Sequence, residues 1–94
     1  MRQPAYSGQF KRDVRLAQKR RYGIGKLKTL MSLLIAGEPL PAIYKDHPLT
    51  GEWNSFRDAH IEPDWLLIYK PGKTTDGGEA VRFERTGTHS DIFE

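Results

Sequence analysis

The chain has 94 residues, 37% of them hydrophobic and 29% charged, with no cysteine and a formal net charge of +3. That is enough for one small globular domain, residues 1–94, and too apolar for a wholly disordered chain; it excludes a disulfide scaffold and any thiolate zinc site. No apolar run approaches the roughly 20 residues of a membrane span, and MRQPAYSGQF lacks the apolar stretch of a signal peptide, so a soluble protein suited to a reducing cytoplasm is expected.

The first predicted element is extended, with PAYSG reading as a short lead-in strand. Ser7 is placed to cap the helix that follows. In that helix Phe10, Val14 and Ala17 share one face, and Lys11, Arg12, Arg15 and Lys19 fall on the other. Tyr22-Gly23-Ile24-Gly25 breaks it. A second helix is predicted over 25–36, where Leu27, Leu30, Met31 and Leu34 repeat on one face, and Gly37, Pro39 and Pro41 stop it. The two helices should lie antiparallel across a tight turn. Residues 11–28 hold eight Lys or Arg against Asp13 alone. Such a block is either a solvated helix face or a contact for a polyanion such as nucleic acid. Lys11, Arg12, Arg15, Lys19, Lys26 and Lys28 are its candidate RNA-contacting residues.

The period then changes. EPLPAIYKDHPLTG is a proline-rich connection, WNSFRDAHI reads as a strand, and Glu62-Pro63-Asp64 as a turn. WLLIYK is the strongest strand signal; its unbroken apolar run predicts a central strand covered on both faces. PGKTTDGGE reads as a flexible hairpin loop. AVRFERT is the next strand, with Val81, Phe83 and Arg85 on one face and Arg82, Glu84 and Thr86 on the other. A short helix or turn over 88–93 ends on Ile92 and Phe93. Helices followed by an antiparallel meander give an α+β fold: two antiparallel helices packed on a small antiparallel sheet, with a short C-terminal helix.

Two of the three histidines, His47 and His60, fall in KDHPLTGEWNSFRDAHIEPDW together with Asp46, Asp58 and Asp64; the third, His89, follows the last strand. A meander would bring residues 57–60, 64–65 and 89 towards one edge of the sheet. Three histidines and an aspartate are legitimate zinc ligands. Against a metal, there is no HExxH spacing, and Pro63 keeps His60 and Asp64 from sharing a helix face. General acid–base catalysis is the other reading, since histidine titrates near neutrality and an aspartate can orient it. Packing or turn roles for each histidine are the plain alternative.

RNA cleavage suits such a set. RNA carries its own nucleophile, the 2′-hydroxyl, so the protein need supply only a base, an acid and cations for the phosphate. Arg85 or Arg82 can serve the phosphate, and Phe93, Trp65 or Trp53 can stack on a splayed base. No metal or cofactor is required. Core roles for the tryptophans and a buried ion pair for Arg85 are the competing readings.

The blocks YSGQF, DVRLAQKR, KLKTLMSLLI, PLPAIYKDHPLTGEW, RDAHIEPDWLLIYK and RFERTGTHSDIF cover nearly the whole chain. Together they resemble the YafQ-type toxins of the RelE/ParE superfamily. The resemblance implies a RelE-like α+β domain and a toxin of a type II toxin–antitoxin system. It implies a ribosome-dependent endoribonuclease that cuts mRNA in the 30S decoding site and so inhibits translation. A cognate antitoxin would silence it, and operator DNA would be bound only through the antitoxin complex. Carried over by motif, the functional set falls on His47 in KDHPL, His60 in RDAH, Asp64 in EPDW, Arg85 in FERTG, His89 in TGTH and Phe93 in the final IF. His89 and Asp64 would lead in proton transfer, His47 and His60 assist, Arg85 neutralise phosphate and Phe93 meet a base. The implied address is the bacterial cytoplasm. Residues 71–80, PGKTTDGGEA, are longer and richer in glycine than the family's hairpin. Two rivals remain: a ParE-like toxin that binds gyrase without cutting, and a nucleic-acid-binding module. The histidine–aspartate set separates them, since neither rival needs it.

Overall fold

Residues 1–94 are described by a computed structural model whose strands and α-helices, in chain order, are β1 (Gln3–Tyr6), α1 (Gly8–Lys19), α2 (Ile24–Ala36), β2 (His47–Pro48), β3 (Arg57–Glu62), β4 (Trp65–Lys73), β5 (Glu79–Gly87) and α3 (His89–Phe93). Two single-turn 3-10 helices, Ala42–Tyr44 and Gly51–Trp53, punctuate the proline-rich connection. The five strands form one sheet in the order β1-β5-β4-β3-β2. The α+β class is as expected, but the sheet is mixed: β1 runs parallel to β5, and only the other pairings are antiparallel. The chain thus opens with a strand that belongs to the sheet, ahead of both helices.

Each helix begins and ends on the chemistry of its sequence. Ser7 caps α1, its hydroxyl accepting from the Phe10 amide at 2.9 Å while donating to the Glu84 carbonyl across β5. Gly37 ends α2 in a left-handed conformation, φ 76°, where a side chain would be strained. The apolar stripes of α1 and α2 cover one face of the sheet. Phe10, Ala17, Leu27, Leu30 and Leu34 pack there with Ala59, Trp65, Leu67, Tyr69, Val81 and Phe83. On the other face Leu66 and Ile68 meet Ile92 of α3, with Leu49, Trp53 and Phe56 around them. Residues 65–69 of β4 are all buried, as expected of a central strand covered on both sides.

Three details of the predicted strands change. The strand read over WNSFRDAHI begins only at Arg57, because Trp53 closes a 3-10 turn and residues 54–56 lie outside the ladder. The glycine-rich 71–80 segment is mostly ladder: Pro71, Gly72 and Lys73 pair with Val81, Ala80 and Glu79, leaving only residues 74–78 as the turn. A bulge also interrupts the β4–β5 pairing, with Ile68 opposite Arg85 and Tyr69 opposite Phe83, so that Glu84 has no partner. The extra residue reverses the alternation. Val81 and Phe83 share the helix-covered face, whereas Arg85 falls on the face of Ile68, not with Phe83 as strict alternation predicts. Thr86 takes the helix-covered face, where its hydroxyl accepts from the Trp65 indole and donates to the Leu66 carbonyl.

Candidate active site

Asp58 and His60 pair across the ladder with Ile68 and Leu66, so their side chains stand on the face opposite α1 and α2. His47 reaches the same place from the edge strand β2, paired opposite Asp58. Its approach is fixed by neighbours. Asp46 accepts from the Arg57 guanidinium at 3.2 and 3.1 Å and from the Tyr69 hydroxyl. Lys45 turns the chain at φ 49°, which presents its carbonyl to Nδ1 of His47 at 2.8 Å. A carbonyl only accepts, so that nitrogen carries the proton and Nε2 of a neutral His47 keeps its lone pair free.

His89 arrives on the first turn of α3. Thr88 caps that helix in a reciprocal box with Asp91. Gly87 precedes it because a Cβ there would stand 3.0 Å from the Asp91 side chain. Asp91 also accepts from Arg20 at 2.7 and 3.3 Å, which fastens α3 to the end of α1. That guanidinium and the Thr88 amide hold the Asp91 carboxyl down at about 2. Asp64, on the β3–β4 turn, accepts from both the backbone N–H and Nδ1 of His89, at 3.0 and 2.6 Å. Those bonds keep its carboxyl below the usual range. Nδ1 of His89 therefore holds the proton and Nε2 faces out as a base, or as an acid once charged.

The rings form a continuous row. Centroid separations run His47 to His60 5.9 Å, His60 to His89 6.0 Å, His89 to Phe93 6.3 Å and Phe93 to Trp53 5.8 Å. His47, His60, Asp64, His89 and Phe93 are thus brought together. Phe93 is 39% exposed and available to a ligand; Trp53 stands behind it. Trp65 is not: it is 3% exposed, packed on Tyr22, and its indole is spent on Thr86. Arg85 is joined only through α3. Its Nε and Nη2 meet the buried carboxylate of Asp13 at 2.7 and 3.4 Å, and Nη2 also donates to the Asp91 carbonyl at 3.3 Å. The ion-pair reading of Arg85 is therefore observed, and Nη1 is its uncommitted donor. The basic residues of α1 stand on the helix-covered side, away from the histidines. Lys26 pairs with Glu62 at 3.2 Å.

The sequence reading missed Asp58 as a member of the site. It is 3% exposed, with Nε2 of His60 3.4 Å from one oxygen and Nε2 of His47 3.8 Å from the other. Neither contact has hydrogen-bond geometry, and Oδ1 has no hydrogen-bond partner. Burial pushes this carboxyl up, opposed by the nearby His60, His47 and His89. The signal was present in the sequence, since RDAH places Asp58 and His60 two apart on one strand face. The donor set gathered is His47, Asp58 and His60, and not a His60–Asp64 pair.

This fold, with histidines and aspartates clustered on the sheet face away from the two long helices, defines a small α+β toxin of the RelE-like class. Solved relatives agree. The toxin in the Escherichia coli DinJ–YafQ complex is 58% identical with a TM-score of 0.86, covering 100% of both chains. A metal-bound toxin from Helicobacter pylori is 31% identical with a TM-score of 0.86, covering 99% of this chain and 100% of that one. In sequence, residues 2–94 match the family described as the bacterial toxin of a type II toxin–antitoxin system, YafQ. The mRNA interferase toxin YafQ of Escherichia coli K12 is 61% identical over 89 residues, 94% of this chain and 91% of that protein. The chain belongs to the YafQ family of type II toxins.

Proposed function

We propose that this protein is an mRNA interferase: a metal-independent endoribonuclease that acts on translating ribosomes and is silenced by a cognate antitoxin. The observation that carries the reading is the Asp64–His89 pair, which orients one imidazole with its outer nitrogen free, beside a second histidine pair set over Asp58. In this scheme one imidazole takes the proton of the 2′-hydroxyl. O2′ bonds to phosphorus, the P–O5′ bond breaks, and a second, protonated imidazole gives its proton to O5′. His89, braced by Asp64, supplies one of these groups; His47 and His60 supply or position the other. Arg85 holds α3 in place and offers Nη1 to the phosphate. Phe93 stacks on a base beside the scissile bond.

The partners follow from this assignment. The mRNA is the substrate and the 30S decoding site its holder. The α1 stripe of Lys11, Arg12, Arg15 and Lys19, with Lys26 and Lys28, contacts ribosomal RNA or an acidic antitoxin segment. Operator DNA is met only through the antitoxin complex. Translating ribosomes place the activity in the cytoplasm. The E. coli relatives, an mRNA interferase and a toxin crystallised with DinJ, support the substrate class and the antitoxin. A gyrase-binding toxin or a nucleic-acid-binding module would put no demand on His89. The test is the chemistry of the cut end. A 2′,3′-cyclic phosphate with a 5′-hydroxyl is expected, formed with the protein kept metal-free; a 3′-hydroxyl end would contradict 2′-hydroxyl attack.

A further inference from the structure

We infer that Arg20 and Asp91 are positioning residues for the cleavage: the ion pair between them ties the end of α1 to α3 and so sets the orientation of His89 and Phe93. The effect on cleavage rests on the nuclease reading; the tie to His89 does not. Five residues are too few to hold a helix by themselves, so α3 keeps its place through what it touches. Its two site residues, His89 and Phe93, are its first and last. Ile92 anchors it in the small apolar cluster with Leu66 and Ile68. One apolar side chain fixes where a short helix lies but leaves it free to turn. The turn is set by the polar ties of Asp91.

The Asp91 carboxylate accepts from the Thr88 amide at 2.9 Å and from Nη1 and Nη2 of Arg20 at 2.7 and 3.3 Å, while its carbonyl accepts from Nη2 of Arg85 at 3.3 Å. A two-point guanidinium contact fixes direction as well as distance. Arg20 is itself held. Its guanidinium carbon lies 5.9 Å from the centre of the Tyr22 ring, Nη1 donates to the Tyr22 hydroxyl at 3.4 Å, and Tyr22 packs on buried Trp65. The sheet leaves a path for it. β1 pairs with β5 only as far as Phe83, so the outer edge of residues 84–87 has no strand beside it, and Arg20 crosses there from α1 to α3. Counted by charge, Arg20 belongs to the basic block of residues 11–28; the structure spends it on Asp91 rather than on a polyanion. Such a tie adds little to global stability, because α3 can come away without the rest of the fold. Its effect falls on the site, where a displacement of about an ångström can cost about 100-fold in rate.

The test takes cleavage of mRNA on translating ribosomes as a saturating rate and a half-saturating concentration. Arg20→Met should lower the rate about tenfold and move the half-saturating concentration by less than about twofold. Its melting temperature should fall by less than about 5 °C. Arg20→Lys, which keeps the charge and one donor, should recover part of the loss. Asp91→Ala removes the opposite charge, yet should lower the rate at least as far, and the double variant no further. A second readout needs no cleavage: the nitrogen-15 shifts of the imidazoles at about pH 8.5, above the ordinary histidine range. His89 should show the Nδ1–H form in the native protein and move towards a mixture of tautomers in Arg20→Met and Asp91→Ala. His47, held by the Lys45 carbonyl, should not move. A raised half-saturating concentration at an unchanged rate would make Arg20 an RNA contact and overturn the inference. So would losses that add in the double variant, or a His89 signal that stays native in both single variants. The expected His89 shifts with no cleavage by the native protein leave the tie standing and remove the nuclease.

Discussion

The two faces of the sheet are built to different standards. Under α1 and α2, eleven buried residues form one continuous core, and the buried polar groups beside it are matched. Asp13 shows the care taken: its carboxylate accepts from Gln9, Arg85 and the Thr86 amide, which lies beyond the last residue of β5 that β1 pairs. On the other face only Leu66, Ile68 and Ile92 are buried and apolar, and Asp58 is left with an unpaired oxygen under two imidazoles. An unpaired buried carboxylate costs stability. The contrast teaches that one face supplies the free energy that lets the other keep a buried, unpaired carboxylate oxygen beneath two imidazoles.

That division can be broken from either side. The largest stability effect is expected on the helix face, where Phe83→Ala empties a fully buried position and should cost about 3–5 kcal/mol, read from denaturant unfolding. Activity should fall with it only as the folded fraction falls. On the site face, Asp58→Asn should do the opposite, stabilising by about 1 kcal/mol while depressing cleavage. The sign follows from the direction of its shift. Asp58 titrates above its ordinary 3.8 in the folded protein, so folding carries no penalty below that pH. The penalty grows as pH rises through the folded value. The variant's melting temperature should therefore exceed the parent's near neutrality and converge with it as pH falls towards 3.8. A gap constant with pH would show that Asp58 is already matched. The smallest effect is expected from the outer stripe. Neutralising Arg12, Arg15 and Lys19 together should leave stability unchanged, weaken ribosome binding and reduce its salt dependence by up to about three units of slope. An unchanged slope would remove the stripe from the RNA interface.

The sequence disclosed the elements whose signals are local. The caps at Ser7 and Gly37, the apolar stripes of both helices and the buried run of β4 all follow from spacing and residue type. Non-local features were hidden. The parallel docking of β1 on β5 joins segments nearly the whole chain apart, and no periodicity reports it. The bulge opposite Ile68 cannot be seen in AVRFERT, which alternates well enough, yet it moves Arg85 to the other face. At the site, motif resemblance rather than spacing singled out His47, His60, Asp64, His89 and Phe93, and the fold gathers them. Asp58 was overlooked because aspartate in a strand reads as a weakness of the strand, whereas here it is the floor beneath two histidines. For Trp65 residue type alone leaves stacking and a core role both open, and the fold decides for the core: its indole is held by a threonine in the last strand.

The most direct test of a catalytic His89 is a cleavage map of mRNA with and without translating ribosomes, using the native protein and His89→Ala. His89 is exposed on the first turn of α3, so its removal should leave the melting temperature unchanged. The account predicts cuts only with ribosomes and the native protein, and a loss of about 100-fold or more in His89→Ala, in line with the removal of a general acid or base. Undiminished cutting by a folded His89→Ala protein would contradict it.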